Sequence, residues 1–380
     1  EPFGWYREMR ERSPVRYDEH RGAWDVFRYE TVEAILRDPE RFSSARNPDA
    51  EGPPSMLSSD PPTHTRLRDP VEGRFAPGEV ADLEEEITNL AESLVDEAVA
   101  GEARMDVVDD LARWLPTMTI AALLGVPPDE REQFKRWSDT VVAGPQLTGG
   151  DREGLAARQE AAQAEMREYF TEVLERRRAE PRDDLISHLL AEQGEDGDLS
   201  MAELRGLVQL LLIAGNVTTT NLIANAVWCF ADEGVVAEMA ASDERLRRGL
   251  EEVLRYRSPV QWTTRVVTEP VELEGHRIGE GEVVRTWIGS ANRDPAVFEA
   301  PETFDPGRAP NPHLAFGRGI HFCLGAALAR LEARIALSAL FDRVEAVELV
   351  ETDHEPVAGP FLYGVQNLPI IYERPAEEGA

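Results

Sequence analysis

The chain has 380 residues, of which 72 are acidic and 40 are basic, so its formal net charge at pH 7 is −32. This charge excludes a general nucleic-acid-binding protein, which needs a basic surface, and it argues against docking on an anionic membrane. The longest apolar stretch, from Leu207 to Gly215, is far shorter than the roughly 20 residues that cross a bilayer, so we expect a soluble protein.

The types of charged residue in the sequence predict the salt conditions in which the protein works. Lys135 is the one lysine in the sequence, and the other basic residues are arginines. A surface with this acid excess relies on salt to screen its self-repulsion, which favours a protein from a halophile's cytoplasm. An acidic mesophile protein from a GC-rich genome is the alternative. The two cysteines, Cys229 and Cys323, do not form a disulfide pattern, so we expect a reducing compartment.

The first part of the chain is predicted to be mostly helical. Trp24 to Phe27 alternates like a strand, and Thr31 to Leu36 is typical of a helix with Thr31 near its N-cap. From Thr63 to Ala179, apolar residues recur every three or four positions, as they do on amphipathic helices.

The second part adds long helices and small sheets. One helix is predicted from Ala202 to Phe230, and another from about Asp243 to Arg257. A hairpin is predicted between Val271 to Glu274 and Val283 to Thr286, and a further helix from Leu324 to Leu340. We find no linker, so residues 1–380 are expected to form a single domain that is mainly α, or α+β, with small sheets.

The strongest motif runs from Phe316 to Gly325 and reads Phe-Gly-Arg-Gly-Ile-His-Phe-Cys-Leu-Gly. A glycine-rich loop here delivers Cys323 to the start of a helix. The free N–H groups and partial positive charge of a helix N-terminus favour a thiolate. Gly317 and Gly319 allow the backbone to turn tightly and to approach a flat ligand.

Two other interpretations of Cys323 deserve comparison. A lone cysteine is most often a small core residue. A catalytic nucleophile needs a positioned base, and the nearest histidine, His321, precedes Cys323 by only two residues. The residue types in this register favour a haem-thiolate site instead, in which the thiolate pushes electron density onto haem iron.

This segment resembles the haem-binding signature of the cytochrome P450 family, in particular of its soluble bacterial and archaeal members. Similar segments occur from about Trp5 to Val365. The resemblance implies the P450 fold, with haem b held between the long helix and the cysteine-bearing helix. It implies that Cys323 is the iron ligand and that Phe316, His321 and Gly325 also contact the cofactor.

Glu252 and Arg255 lie three residues apart on a predicted helix, so they share a face and can pair. An isolated pair of this kind is usually a solvated salt bridge worth about 0–1 kcal/mol. The resemblance places them in the family's Glu-x-x-Arg motif, and Arg308 fits the arginine that completes the network. The implied role is structural, because the network fixes the cysteine loop.

A second group of residues resembles the family's contacts with the haem propionates. His64 and Arg68 are four residues apart and share a helix face, and Thr263 and Arg265 follow the Glu-x-x-Arg helix. His321 fits a further contact. Each of them alone would more often be a surface residue. As a set they favour haem, because basic side chains form charge-assisted hydrogen bonds with carboxylates.

Thr218 lies within the long predicted helix, after Ala214 and Gly215. A threonine in mid-helix can donate a hydrogen bond to the carbonyl four residues earlier, here that of Ala214, and bend the helix. Beside Gly215, such a bend would open a groove for dioxygen, although an ordinary helix also tolerates these residues. The resemblance to the family's oxygen-binding helix implies that Thr218 is a proton-relay residue.

Val217 departs from the family pattern, because an acid usually stands just before this threonine and helps to deliver protons. Valine can neither carry a proton nor hold a water molecule. Asn216 lies about 100° further round the helix, so it cannot simply take the acid's place. Two accounts stay open: protons arrive through Thr218 and ordered water alone, or the oxidant is peroxide, whose O–O bond is already formed.

The implied reaction inserts one atom of dioxygen into a small apolar substrate. Electrons would come from NAD(P)H through a ferredoxin and its reductase. Arg318, Arg330 and Arg334 could form a basic patch for an acidic ferredoxin, and plain helix-surface charges are an equal alternative. We expect a monomer. The loop from Val141 to Gly150 is among those expected to shape the pocket. Its other predicted lining residues are Ile213, Ala214, Gly215, Val217, Val260, Trp262, Phe361 and Leu362.

Two rival functions remain open at this point. A peroxide-driven haem-thiolate peroxygenase, or an isomerase, would need no reductase, and Val217 is the feature that favours it. A non-catalytic haem protein that senses a gas is a more remote alternative. Thr218 beside Gly215 argues against the sensor, because a sensor needs no groove for proton delivery.

Overall fold

The computed structural model describes residues 1–46, 52–127, 130–142, 152–192, 199–350, 354–357 and 359–374. Helices form most of this part of the chain, as predicted. In chain order they are α1 (Phe3–Arg12), α2 (Tyr29–Arg37), α3 (Thr63–Glu72), α4 (Pro77–Ala81), α5 (Glu84–Val99), α6 (Trp114–Leu123), α7 (Arg131–Val142), α8 (Arg152–Ala179), α9 (Leu185–Glu192), α10 (Met201–Asp232), α11 (Val236–Ala240), α12 (Asp243–Tyr256), α13 (Ile288–Ala291) and α14 (Ala326–Phe341).

The strands are short and form three sheets within the described residues. They are β1 (Val15–Asp18), β2 (Ala23–Val26), β3 (Phe42–Ser43), β4 (Arg104–Asp106), β5 (Thr263–Val267), β6 (Val271–Leu273), β7 (His276–Ile278), β8 (Val283–Thr286), β9 (Ala346–Leu349) and β10 (Pro369–Glu373). The sheet orders are β1-β2-β8-β5-β3, β4-β10-β9 and β6-β7. Because β2 pairs in parallel with β8, the first sheet ties the start of the chain to the segment after α12.

The predicted hairpin is wrong in its pairing. Strand β6 pairs with β7 across a tight turn at Glu274 and Gly275, where both residues have positive φ, 46° and 82°. This turn closes the hairpin before the second predicted strand is reached. That strand, β8, pairs instead with β5 and β2. These partners are not its neighbours in the sequence, so the local pattern does not predict the pairing.

Helix α10 begins with a capping box. Ser200 Oγ accepts a hydrogen bond from the Glu203 N–H at 3.2 Å, and the Glu203 carboxylate accepts one from the Ser200 N–H at 2.8 Å. Two starts differ from the prediction. Helix α2 begins at Tyr29, so Thr31 lies inside it rather than at its cap, and α14 begins at Ala326 rather than at Leu324.

Helix α10 is the central helix of the body. It packs against α6, α7, α8, α12 and α14. In the described part of the chain it is the helix long and apolar enough to cross a membrane, yet 61% of its most apolar window is buried inside the protein. It is therefore a core helix. Its contact with α14 brings together the helix that carries Thr218 and the helix that follows Cys323.

Candidate active site

The cysteine loop is held in shape by its own backbone. The Cys323 N–H donates to the Phe316 carbonyl at 2.9 Å, and Gly317 and Gly319 have φ values of 71° and 70°. A Cβ atom on Gly319 would lie 2.6 Å from the carbonyl oxygen of Leu36 in α2, which is too close. Glycine is therefore required here by both the turn and the packing of the loop.

The Cys323 side chain is exposed, although protein surrounds it on most sides, as at the floor of a crevice. Burial raises the pKa of the Cys323 thiol, while the Gly325 N–H and the charges of Arg68 and Arg330 act to lower it. A Cβ on Gly325 would meet nothing within 4 Å, so that side of the loop is open.

The structure brings the three residues of the predicted network together. Arg255 donates to both carboxylate oxygens of Glu252, and Arg308 Nε lies 3.0 Å from Glu252 Oε2. The sequence interpretation missed two further partners of Glu252, the Asp305 N–H at 2.8 Å and the Asn311 amide at 3.2 Å. Glu252 therefore joins α12 to the segment that leads into the cysteine loop.

The predicted propionate contacts include Arg265, a buried arginine that has no salt bridge to an acid among the described residues. Arg265 donates to Thr263 Oγ1 at 3.2 Å and to the Thr264 carbonyl at 2.9 Å. Burial lowers the pKa of Arg265 to about 10, and the charge of Arg46 adds to this effect. Arg46, which donates to Thr264 Oγ1 at 3.1 Å, was not predicted, because no local pattern marks it.

Two histidines lie beside these arginines. The rings of His64 and His321 meet edge to face, with centroids 4.4 Å apart. Burial lowers the pKa of both, to about 3 for His321, to which Arg265 also contributes. Among the described residues, Nε2 of His321 has no hydrogen-bond partner.

This cluster fits the carboxylates of a haem. Asp60 is the acid that acts on His64, His321 and Arg265 alike, and its carboxylate already accepts hydrogen bonds from Ser43 and Ser44. Buried cations and an unpartnered ring nitrogen call for added negative charge and hydrogen-bond acceptors, which propionates provide. Together with the accessible thiol of Cys323, these residues match the donor set of a thiolate-bound haem.

The contacts that Arg68 makes in the structure are not those expected of a propionate-binding arginine. Its NH1 donates to the carbonyls of Ile320 and Phe322 at 3.1 and 3.0 Å, and its Nε pairs with Glu72 at 2.9 Å. The structure therefore places Arg68 on the cysteine loop, where it supports the backbone. Its contact with a propionate stays a prediction.

Thr218 makes the expected back-bond. Its Oγ1 donates to the Ala214 carbonyl at 2.9 Å. Ala214 is exposed, and Thr218 and Val217 are partly exposed, although α10 is largely buried, so this face of the helix borders open space. Asn216 is buried elsewhere on the helix and accepts a hydrogen bond from Thr220 at 3.4 Å, so it does not replace the missing acid.

Gly215 lies on the side of α10 that faces α6. A Cβ on Gly215 would lie 3.8 Å from the side chain of Ile120 in α6, which is an ordinary van der Waals contact. The residue is partly exposed. Its part in a groove beside Thr218 and in the pocket lining stays a prediction.

The structure brings four predicted pocket residues together. Val260 and Leu362 form a β-bridge, and the rings of Trp262 and Phe361 meet edge to face with centroids 5.1 Å apart. Trp262 Nε1 also donates to the Pro360 carbonyl at 3.0 Å. These contacts make the four residues one unit.

Leu362 and Ile213 also make contacts outside this group of four. Leu362 is buried and lines a cavity of about 790 Å³, whose described walls do not include Ala214 or Val217. Ile213 is partly buried and packs against the hydrophobic core. Residues 143–150 of the predicted pocket loop lie outside the described residues.

The expected basic patch is neutralised by acids. Arg330 pairs with Glu251 at 2.6 Å, and Arg334 with Asp243 at 3.2 Å and with Glu84. The third arginine, Arg318, lies 3.5 Å from Glu33. The patch therefore offers little free positive charge.

Comparisons with known proteins agree with the geometry. The sequence pattern of the family described as cytochrome P450 matches residues 244–371. The chain is 42% identical to cytochrome P450 109 of Bacillus spizizenii, over 97% of this chain and 91% of that protein. It is 37% identical to cytochrome P450 119 of Sulfurisphaera tokodaii, over 98% of this chain and 100% of that protein.

Solved structures are similar over nearly the whole chain. The crystal structure of CYP109E1 from Bacillus megaterium in complex with testosterone superposes with a TM-score of 0.92 and 43% identity, covering 97% of each chain. A mutant of P450 EryK in complex with erythromycin B has a TM-score of 0.89 and 35% identity, covering 100% of this chain and 97% of that one. This chain therefore belongs to the cytochrome P450 family of monooxygenases, whose members carry haem iron.

Proposed function

We propose that this protein inserts one atom of dioxygen into an apolar organic substrate. The proposal rests on one observation: Cys323 and Thr218 belong to two helical segments that contact each other. An accessible Cys323 stands on a rigid loop before α14, and a back-bonded Thr218 stands on an open face of α10.

We propose that Cys323 binds the iron of haem b and that His64, Arg265 and His321, with Thr263 and Arg46 nearby, hold the propionates. Phe316 and Gly325 border the cofactor on the cysteine side. Bound in this site, haem supplies the iron that activates dioxygen, with a thiolate ligand that pushes electron density toward it.

The chain's own residues would then manage protons and water. The Thr218 hydroxyl donates to the Ala214 carbonyl at rest. When it turns away from that carbonyl, it can pass its proton to the open side of α10 and regain one from water. Val217 and Ala214 present apolar surface there, which favours an apolar substrate and excludes bulk water. The Glu252 network keeps the cysteine loop from moving during these steps.

The predicted pocket residues and the relatives both support an apolar substrate. Trp262, Phe361 and Val260 give an aromatic and aliphatic wall, which suits apolar ligands. CYP109E1 has been crystallised with testosterone and with corticosterone, and another relative is an erythromycin C-12 hydroxylase. We propose a bulky apolar organic substrate of comparable size.

For the setting, we propose one domain over residues 1–380 that works as a monomer in the cytoplasm of a halophile. The net charge of −32 and the single lysine support the salt adaptation. Electrons would come from NAD(P)H through a ferredoxin-type donor. Because Arg330 and Arg334 already pair with acids, we propose that docking depends more on shape than on charge steering.

The test is turnover of testosterone by the purified haem-loaded protein in high salt, with a ferredoxin, its reductase and NADH. Hydroxylated product formed in step with NADH consumption supports the proposal. The proposal would be contradicted if no product formed from a panel of steroids, macrolides and styrene, either with ferredoxin, reductase and NADH or with peroxide.

Peroxide-driven oxygenation is a second candidate, favoured by Val217 in place of the usual acid. A peroxygenase would form product with hydrogen peroxide and none with the electron chain. In that case Val217→Glu should restore coupling to NADH, because it returns a proton carrier to the position before Thr218.

A further inference from the structure

The cavity of about 790 Å³ lies between α1, the end of α10 and residues 359–365. Small-molecule sites in proteins have volumes of roughly 300–1,000 Å³, so this cavity has the size of such a site. Its described walls include neither Cys323 nor Thr218, so the proposed haem site does not account for it. Five aromatic residues line it, namely Trp5, Tyr6, Trp228, Trp287 and Tyr363.

The aromatic walls are held in place by their neighbours. The Arg257 guanidinium lies 3.9 Å from the centre of the Trp228 ring, and Arg257 is only 5% exposed. The ring of Trp5 meets that of Trp287 edge to face, with centroids 5.1 Å apart, and Trp287 stacks on Phe27 at 5.8 Å. Rings fixed in this way form a binding surface in advance, which lowers the entropy cost of binding a ligand.

The charged groups at the cavity favour an uncharged ligand. Arg21, which lines the cavity, pairs with Asp18 at 2.7 Å. Glu1 also lines it, lies 3.1 Å from Arg257 and accepts a hydrogen bond from the Tyr363 hydroxyl at 2.9 Å. Both charges therefore have partners in the protein, which a charged ligand would have to displace. A flat aromatic molecule needs no charge, because it packs against the faces and edges of the rings.

Residues 360–363 connect this cavity to the predicted substrate pocket. All of them except Phe361 line the cavity, whereas the ring of Phe361 meets that of Trp262, with centroids 5.1 Å apart. The Tyr363 N–H donates to the Pro259 carbonyl at 2.8 Å and helps to hold the segment. A molecule in the cavity would therefore contact the segment that carries Phe361.

We propose that this cavity is a second ligand site, which takes an uncharged, flat aromatic molecule and stiffens residues 360–363. The inference goes beyond the proposed function and does not require it, because the occupant makes no contact with Cys323 or Thr218. Since Phe361 is a predicted pocket residue, the bound molecule acts on the substrate pocket as an effector.

The experiment uses naphthalene, an uncharged bicyclic probe, and counts the molecules bound to the haem-loaded protein by equilibrium dialysis. Val357 lines the cavity, so Val357→Trp should fill it. Val297→Trp is the matched control, because Val297 is 39% exposed and is not among the described cavity walls. The wild type and Val297→Trp should each bind one more naphthalene than Val357→Trp. This difference does not count any molecule bound in the substrate pocket.

A crystal structure of the wild type with naphthalene gives a readout that needs no variant. It should show the probe in the cavity, beside Trp5 and Trp228. An empty cavity in that structure overturns the inference, as does an equal number of bound molecules in all three proteins.

Hydrogen exchange tests the effect on the segment without any turnover. Naphthalene should slow exchange of the Tyr363 N–H by about threefold or more in the wild type and in Val297→Trp, because the bound probe restrains local opening. Exchange in Val357→Trp should not respond to the probe. Binding without slower exchange overturns the effector role. If no substrate is turned over while naphthalene gives these results, the proposed function fails and the second site stands.

Discussion

Arg255 donates two hydrogen bonds to the carboxylate of Glu252, at 2.8 and 2.7 Å, and neither side chain is exposed. Both residues also bind the segment before the cysteine loop, through the Asp305 N–H and the Pro301 carbonyl. A buried ion pair with all its partners satisfied fixes a structure more than it stabilises one. The pair therefore fixes the segment that leads into the cysteine loop.

Removing one partner leaves an uncompensated buried charge. We expect Glu252→Ala to lower the free energy of unfolding by about 3–5 kcal/mol and to abolish stable haem incorporation. Chemical denaturation and the haem-to-protein absorbance ratio measure both effects. Glu8→Ala is the control, because its pair with Arg12 is exposed and worth about 0–1 kcal/mol. A similar loss in both variants would contradict the account.

The hydroxyl of Thr218 should matter for coupling rather than for folding. Thr218→Val is expected to lower product per NADH by roughly tenfold or more and to increase peroxide release, because the hydroxyl that relays protons is lost. Thr218→Ser should keep most of the coupling. Thr220→Val is the matched control, since Thr220 is a buried neighbour whose hydroxyl bonds to Asn216. The three variants are compared by NADH consumption and product yield.

Loss of the charge of Arg265 should change the melting temperatures of the haem-free and the haem-loaded protein in opposite directions. Arg265→Leu removes a buried cation whose pKa burial lowers to about 10. We expect the melting temperature of the haem-free protein to rise and that of the haem-loaded protein to fall, because propionates need this charge. Differential scanning calorimetry of both forms checks this, and a shift of the same sign in both would count against a propionate site.

Glu332 predicts a pH dependence of stability. It is 2% exposed on α14, and burial raises its pKa to about 8, opposed by a hydrogen bond with Thr119. The folded state therefore keeps this proton where the unfolded chain has lost it. Stability should fall as pH rises from about 4.5 to 8, by up to about 1.4 kcal/mol per pH unit, and then level off.

The glutamine variant isolates this contribution. Glu332→Gln cannot ionise, so its unfolding free energy should exceed that of the wild type by more at pH 9 than at pH 5. Urea denaturation at both values measures the difference. Equal differences at the two pH values would mean that Glu332 does not hold a proton in the folded state.

The cysteine loop could be predicted from the sequence because its determinants are local. Gly317 and Gly319 are needed for φ values that few other residues adopt, and they stand within seven residues of Cys323. Thr218 and its bond to Ala214 were predictable for the same reason, since both lie on one turn of one helix.

Features that depend on distant segments could not be predicted in this way. Arg46 reaches Thr264, beside Arg265, only because β3 pairs with β5. Gly215 faces Ile120 because α6 crosses α10 there, and no pattern within α10 records that direction. The acids that neutralise Arg330 and Arg334 come from α12 and α5, so no pattern around the cysteine helix reveals them.

The most direct test of the central claim is the absorbance spectrum of the reduced, carbon monoxide-bound protein. It is compared for the wild type, Cys323→Ser and Cys229→Ser, because Cys229 is the chain's other cysteine and is buried. Cys323 as the iron ligand predicts the red-shifted Soret band of a thiolate-bound haem in the wild type and Cys229→Ser, and its loss in Cys323→Ser. Persistence of that band in Cys323→Ser would contradict the assignment.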